Sequence, residues 1–559
     1  MTSQTRTGAQ YIAEALCAYG VTHTFFVDAI LRRGLIEMEK RDVTRVLTHT
    51  EKAAAYMADG YARASGRIGV CMAQAVGAAN LASGLQDAFF ARSAVLAITG
   101  HKAYPLVHRH AYQEMPHEPL FRPVTRFSAN VEEAGQLPFL LRQAIREATG
   151  PTPCPTHLDF SGHMGELVDM GQVTGPLEVD ARHARYPAYR YTPPMDEIEA
   201  AAKMIAAAQR PVLVIGTGAA QSGAGQELRA LANRAGAPVA MSLGAKGLIA
   251  DRDPVNIGIM GHYSAPHTNK IVHGADLVVF IGCYAGDLVT DKWRIPAPGT
   301  RVLQIDPNPA ELGRNYRDSV GLCGDPKLTL ALLAERVPAR ADQSWLKSAQ
   351  VSRDAWRASI APRFTSNARP IAVERLCHEL TEALPRDAIL VADTGYSGVW
   401  TGTLVDTNGA GQTYLRAAGS LGWAFPASMG AKCGAPDRPV VCFTGDGGFY
   451  YHMAELETAK RWNIPVTVVV NNNSALGQCI AGVRDLYKGN NGRVGDMYGF
   501  ESVNFANIAR EFGCQGIRVE NPSELGDALR KGIASGQPCV IDVATDPEAI
   551  APEAWVPAA

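Results

Sequence analysis

Two polar clusters in the last third of the chain have the composition of a cation and phosphate site. Gly445-Asp446-Gly447-Gly448 ends the apolar run VVCFT, and Asn471-Asn472-Asn473 ends the run VTVVV. Both runs are rich in β-branched residues and the stretch between them has helical composition, so residues 440–477 read as strand, turn, helix and strand. In an open parallel sheet, the carboxyl ends of such strands are neighbours that face the ligand crevice. One carboxylate and side-chain amides meeting there, beside backbone cleared by glycine, form a donor set for a small hard cation carrying a diphosphate. A second carboxylate, Glu51, opens the helical segment EKAAAYMADGYARAS directly after a strand-like run. Taken alone, it is also the residue that a helix dipole favours in a first turn.

The elements that must position these groups alternate as strand and helix through three units. This pattern predicts an α/β protein with three doubly wound parallel-sheet domains. The first unit, residues 1–165, has a helix over 10–19 and strands over 23–27, 44–47, 68–74 and 94–100. A glycine-alanine turn, Ala75 to Asn80, leads into another helix. Residues 101–130 form an irregular, histidine-rich stretch of a length that is more often functional than idle, without metal-ligand spacing. Residues 166–193 read as a linker. The middle unit, 194–337, has a helix over 195–208 and strands over 211–215, 275–282 and 301–306. Its glycines after the first of these strands partly match a dinucleotide turn, but the Gly-x-Gly-x-x-Gly spacing is not clean. A second linker, 338–369, lacks strong periodicity. The third unit, 370–559, has a helix over 371–384, strands over 388–395 and 539–545, the opening motif, and a charged loop over 484–499.

The totals narrow the function classes. A chain of 559 residues can build several cores, and 47 % apolar with 19 % charged residues fits compact α/β domains. A formal net charge of −2 provides no general attraction to nucleic acid or an anionic membrane, so neither is expected as a partner. Eleven scattered cysteines without a Cys-x-x-Cys pair argue against a disulfide framework and suit small buried residues in a reducing compartment. No signal-like or spanning apolar run is visible, so a cytoplasmic location is expected.

Taken together, the motifs resemble the thiamine-diphosphate enzymes of the acetolactate synthase, pyruvate oxidase and benzaldehyde lyase superfamily. The family's Gly-Asp-Gly and Asn-Asn signature appears as Gly445-Asp446-Gly447 with Asn472-Asn473, and Asp446 and Asn473 are 27 positions apart. Further phrases extend the likeness over nearly the whole chain: AYQEMPHEPLFRPVTRFS in the first unit, IDPNPAELGRN in the second and SLGWAFPASMGAKCGAP in the third.

The resemblance implies pyrimidine-binding, middle and diphosphate-binding domains, in that order. It implies Mg²⁺ held by the Asp446 and Asn473 side chains and the Ala475 carbonyl. It places Gly395, Tyr396, Ser397, Gly445, Gly447, Gly448, Leu476, Gly477 and Gln478 around thiamine diphosphate. The Gly419 carbonyl would anchor the cofactor's amino group, Leu421 would be the apolar wedge beneath it, and Asn80 would lie nearby. Glu51 would be the catalytic carboxyl, bonded to a ring nitrogen of the aminopyrimidine in a dry interface. In this family the glutamate and the metal site come from different subunits, so a homodimeric active site and a homotetramer are implied.

Several positions depart from the family. The arginine that pairs with the second substrate's carboxylate in acetolactate synthases is Leu288, within Ala285-Gly286-Asp287-Leu288, and leucine cannot form that ion pair. Gly395-Tyr396-Ser397 replaces Gly-Gln-His, Ala75-Val76-Gly77 replaces Gly-Pro-Gly, and Gln478-Cys479-Ile480 replaces an apolar pocket wall. A substrate other than that of acetolactate synthase is therefore expected, with His101, Gln113, Tyr396, Gln478 and Ile480 facing it. Changes from Cys283 to Thr290 predict an empty, adapted or ADP-like middle-domain site in place of FAD.

The leading expectation is a lyase or carboligase acting next to a carbonyl, with a 2-keto acid, 2-hydroxyacyl-CoA or 2-hydroxyketone as the small-molecule donor. The alternatives are hydrolytic cleavage of a cyclic 1,2-dione and a non-catalytic binding relative. The second usually requires a broken metal or glutamate position, and here neither is broken.

Overall fold

The computed structural model describes residues 5–407, 411–489 and 492–558. Part of the expected loop over 484–499 and the first four residues lie outside them. Three six-stranded sheets, every adjacent pair parallel, follow one another along the chain. The first contains, edge to edge, Thr44–Leu47, His23–Phe26, Gly69–Gln74, Val95–His101, Thr156–Ser161 and Phe127–Val131. The third runs Thr413–Arg416, Ile389–Ala392, Val440–Gly445, Thr467–Asn472, Cys539–Ala544 and Gln515–Val519. Between them lies Asn256–Ile259, Val239–Met241, Pro211–Ile215, Leu277–Ile281, Arg301–Asp306 and Val320–Cys323. Central strands such as Leu277–Ile281 and Pro211–Ile215 are buried throughout, as a sheet covered by helices on both faces requires.

Besides a turn back at the far edge of the first and third sheets, the order of connection in each sheet reverses at one interior switch point. In the third it lies between Ile389–Ala392 and Val440–Gly445, and in the middle sheet between Pro211–Ile215 and Leu277–Ile281. Connections leave such a point in opposite directions, and the crevice they open is the expected ligand position in a doubly wound sheet.

The first and third units share one hydrophobic core, in which Phe25, Tyr56 and Leu85 pack with Trp423, Phe425 and Phe449. At its centre the Glu51–Ser65 helix lies against the Ala424–Gly434 helix at backbone distance. A Cβ on Gly60 would fall 2.0 Å from the Ala427 carbonyl oxygen, and one on Gly430 would fall 1.9 Å from that of Met57. Only glycine at both positions permits this approach. Four alanines of the Glu51–Ser65 helix, Ala53, Ala54, Ala55 and Ala58, are fully buried.

Both stretches read as irregular linkers contain ordered elements. Residues 166–193 include the helix Glu166–Met170 and the strand Gln172–Thr174, which pairs antiparallel with Thr5–Thr7. Residues 338–369 include a 17-residue helix, Ser344–Ile360. It buries only Leu346 and Ala349 fully, so its apolar stripe is too sparse for periodicity to reveal. The histidine-rich stretch ends in the edge strand Phe127–Val131, and the loop expected from 484 starts only after the Gly477–Tyr487 helix. Among the eleven cysteines, Cys17 and Cys479 are exposed, which corrects the expectation that all are buried. No helix among the described residues is long and apolar enough to cross a membrane.

Candidate active site

A cavity of about 310 Å³ opens at the reversal point of the third sheet. It is lined by the predicted residues Gly395, Tyr396, Ser397, Gly419, Leu421, Gly445, Asp446, Gly447, Gly448, Asn473, Ala475, Leu476, Gly477 and Gln478. Three helices begin on it: Tyr396–Leu404, Asp446–Tyr450 and Gly477–Tyr487. Their free N–H groups and positive dipole ends suit a phosphate-bearing ligand.

Strand alternation explains the asparagines. Asn472 faces away from the cavity, donating to the Asp542 carboxylate at 2.9 Å and the Val503 carbonyl at 2.9 Å, whereas Asn471 and Asn473 face it. Ser474 then takes a left-handed conformation, φ 55°, and the chain doubles back. The Ala475 N–H is thereby shared between Asp446 Oδ2 and Asn473 Oδ1, at 3.2 Å each, so a carboxylate and an amide oxygen converge. Glycine keeps the surroundings clear: a Cβ on Gly447 would lie 2.6 Å from Leu476, and one on Gly477 2.9 Å from Asn473 Nδ2.

The chemistry of this set fits Mg²⁺ with a diphosphate. Burial pushes the Asp446 carboxyl up to about 6 against the lowering effect of the Gly447, Ala475 and Ser474 N–H groups. A bound cation would favour its charged form. Asn471 Oδ1, on the cavity wall, is buried and has no partner. Sequence reasoning missed Asn471 as a lining residue, together with Thr394, Trp400 and Asp546. It also missed Tyr263 of the middle unit, whose hydroxyl lies 3.4 Å from Gln478 Nε2.

Glu51, Asn80, His101, Gln113 and Ile480 do not line this cavity. Glu51 begins its helix, with Thr50 as N-cap accepting from the Ala53 N–H. Its carboxylate accepts from Asn80 Nδ2 at 3.1 Å and lies against Gly77, where a Cβ would come within 2.5 Å of Oε1. Ile480 is buried in the Gly477–Tyr487 helix. Gln113 sits in the loop with φ 59°, and its Oε1 is buried without a partner.

His101 is engaged at both ring nitrogens, 3.4 Å from Asp159 and 3.4 Å from Glu132. Burial works to lower its pKa, but the two carboxylates carry it above the usual value. Asp159 also accepts from Thr99 at 2.7 Å and is bonded to His117 at 3.0 Å. The imidazole belongs to an internal ion-pair cluster, a partnership that the residue's place after a strand did not reveal.

A second cavity, about 150 Å³, opens at the reversal point of the middle sheet, lined by Gly216, Thr217, Gly218, Ser242, Gly282 and Asp306 together with Arg92 and Arg416. A neighbouring cavity of about 370 Å³ shares Thr217, Gly244 and Arg416 with it. The Arg416 guanidinium donates to the Ala417 carbonyl at 2.9 Å, and burial lowers its pKa.

Comparison with known proteins matches three family models in order along the chain. Residues 6–120 match the N-terminal TPP binding domain of thiamine pyrophosphate enzymes, 198–333 the central domain, and 393–543 the C-terminal TPP binding domain. A probable acetolactate synthase large subunit of Methanocaldococcus jannaschii is 32 % identical, covering 97 % of this chain and 92 % of the relative. A probable 2-ketoarginine decarboxylase, AruI, of Pseudomonas aeruginosa is 31 % identical over 97 % of this chain and 94 % of its own. The putative thiamine pyrophosphate-containing protein YdaP of Bacillus subtilis is 29 % identical over 96 % and 91 %.

Proposed function

Because the chain belongs to the acetolactate synthase large subunit-like family of thiamine pyrophosphate enzymes, we propose that it is a Mg²⁺-dependent lyase or carboligase working next to a carbonyl. The observation that carries this reading is the convergence of Asp446, Asn473 and Ala475 in a cavity that also holds Gly419 and Leu421. When bound, thiamine diphosphate supplies a nucleophilic carbon and an electron sink for a carbon–carbon bond beside a carbonyl. The protein's part is to bind and orient. Asp446, Asn473 and the Ala475 carbonyl hold the cation, the three helix amino termini receive the diphosphate, and Leu421 and the Gly419 carbonyl orient the organic portion. Glu51 holds and returns a proton at its carboxylate oxygens, which Gly77 and Asn80 keep in place.

Glu51 lies outside the Asp446 cavity of its own chain, so the reading includes a second copy, each supplying Glu51 to the other's cavity within a dimer or a pair of dimers. The donor is a 2-keto acid or a related carbonyl compound. Leu288 in place of an arginine argues against the acetolactate synthase pairing with an acceptor carboxylate. For the middle cavity the reading is an ADP-like ligand: Arg92, Arg416 and the Gly216–Gly218 backbone suit phosphates, and Asp306 suits ribose hydroxyls or an amine.

Purified protein reconstituted with thiamine diphosphate and Mg²⁺ is to be screened with 2-keto acids, with and without aldehyde acceptors. Mass spectrometry would read adducts and products, and the denatured supernatant would be assayed for nucleotide. Catalysis that Glu51→Gln abolishes supports the reading. Absence of cofactor binding by the wild-type protein overturns it, and a single open-chain acid from a cyclic dione assigns hydrolysis instead.

A further inference from the structure

The two halves of the candidate site are each held by a carboxylate from the opposite unit. Asp87, buried in the Gly77–Ala91 helix of the first unit, accepts from three consecutive N–H groups of the third: Ala418 at 2.7 Å, Gly419 at 3.2 Å and Ser420 at 3.0 Å. Arg63 donates to the same carboxylate at 3.2 Å and keeps its charge paired. Further along the chain, Asp393 accepts from Gly422 at 3.1 Å and Ala424 at 3.3 Å. Gly419 and Leu421 therefore stand on a segment whose beginning is held by one carboxylate and whose end is held by another.

The reverse contact runs from the third unit to the first. Glu455, fully buried at the start of the Glu455–Arg461 helix, accepts from His49 N–H at 3.1 Å and Thr50 N–H at 3.2 Å. Those are the two residues before Glu51. The Thr458 hydroxyl steadies the other oxygen at 2.7 Å. Burial pushes the Glu455 carboxyl up, against the lowering effect of Thr458, His49 and Thr50.

Buried carboxylates are costly unless fully hydrogen-bonded, and here, beside one partner each in their own unit, Arg63 and Thr458, the bonds that satisfy them go to backbone of the opposite unit next to the functional residues. We propose that Asp87 and Glu455 are reciprocal positioning residues: Asp87 sets the Gly419–Leu421 segment, and Glu455 sets the backbone that delivers Glu51. The inference rests on the proposed function for its catalytic consequence, while the clamps themselves can be tested without it.

Hydrogen exchange of the apoprotein reads the clamps directly. Asp87→Asn is expected to speed exchange at Ala418 to Ser420 by about tenfold or more, the scale of one lost charge-assisted hydrogen bond, and to leave His49 and Thr50 unchanged. Glu455→Gln should do the opposite. In the cofactor-loaded enzyme, Asp87→Asn should raise the thiamine diphosphate dissociation constant, measured by fluorescence quenching, by about tenfold. Glu455→Gln should lower kcat at saturating cofactor by at least about tenfold, with that constant held within about twofold.

Asp87→Glu and Glu455→Asp keep the charge and move it by one methylene; they should give the same split at smaller size if the first pair folds poorly. Parallel changes in both segments, or effects that follow only the melting temperature, would overturn the assignment. A wild-type protein that binds no thiamine diphosphate would refute the proposed function but leave the exchange result to decide the clamps.

Discussion

Gly77→Ala tests whether the position of the Glu51 carboxylate, and not merely its presence, carries activity. The added methyl would lie 2.5 Å from Glu51 Oε1 and 3.0 Å from its Cδ and Cγ. Non-bonded carbon and oxygen rarely approach closer than about 3.2 Å, so the carboxylate must move by about 0.7 Å. Glu51 is a flexible side chain and residue 77 begins a helix, where alanine is favoured over glycine by about 1 kcal/mol. The fold should therefore survive, with the melting temperature within a few degrees of wild type. Activity should not, because a displacement near 1 Å at a reacting group can cost about 100-fold in rate. The assay is kcat on the best donor together with exchange of the cofactor's thiazolium proton, with Glu51→Gln as the lower bound. Wild-type kcat and exchange in a folded Gly77→Ala protein would refute the claim that this glycine sets the carboxylate.

Gly430→Ala should destabilise by about 3 kcal/mol or more in urea unfolding, since its methyl would meet the Met57 carbonyl carbon and oxygen at 2.6 and 1.9 Å, whereas Gly135→Ala, with nothing within 4 Å, should cost little. Asp446→Asn should weaken thiamine diphosphate binding at fixed Mg²⁺ by at least about 100-fold in calorimetry, while thermal stability of the apoprotein is kept or raised because a carboxyl burdened by burial is gone. The part of the stability that buried histidines contribute should also fall as pH drops below 6.5, while the Asp169, Asp306, Asp393 and Asp446 carboxyls, pushed up to about 6 by burial, act in the opposite direction there. Burial depresses His157 to about 3 and His267 and His452 to about 4, so below 6.5 each of these three binds more protons in the unfolded chain than in the folded one. The stabilisation is present above 6.5 and is lost towards the folded values, by up to about 1.4 kcal/mol per pH unit for each histidine. The difference in urea midpoint between wild type and His157→Gln isolates one such contribution, and wild type should lose stability relative to the variant as pH falls from 7 to 4.5.

The meeting of Asp446 with Asn473 was legible because its information is local. Asp446 and Asn473 each end an apolar strand, and neighbouring strands in register bring their ends together whatever the rest of the chain does. Glycine spacing showed where backbone would be bare, and all fourteen predicted residues of the diphosphate half line one cavity. The Ser344–Ile360 helix escaped because an outer helix with two fully buried residues carries little periodic signal. His101 is expected from the sequence to face the substrate, but its partners Asp159 and Glu132 come from a strand and a loop that only folding brings near.

The sequence by itself determined the three α/β units, the diphosphate signature and the identity of the carboxylate at the first helix. These depend on strand and helix periodicity and on motifs a few residues long. Tertiary structure decided everything that a remote partner sets: the glycine-to-carbonyl contact of two helices, the separation of Glu51 from the Asp446 cavity within one chain, and the crossing carboxylates Asp87 and Glu455. Asp87 is 331 to 333 residues from the N–H groups it holds, and Glu455 is 405 to 406 from its own. A hydrogen bond is directional over about 3 Å, so no pattern along the chain can specify it until the folded backbones bring donor and acceptor face to face.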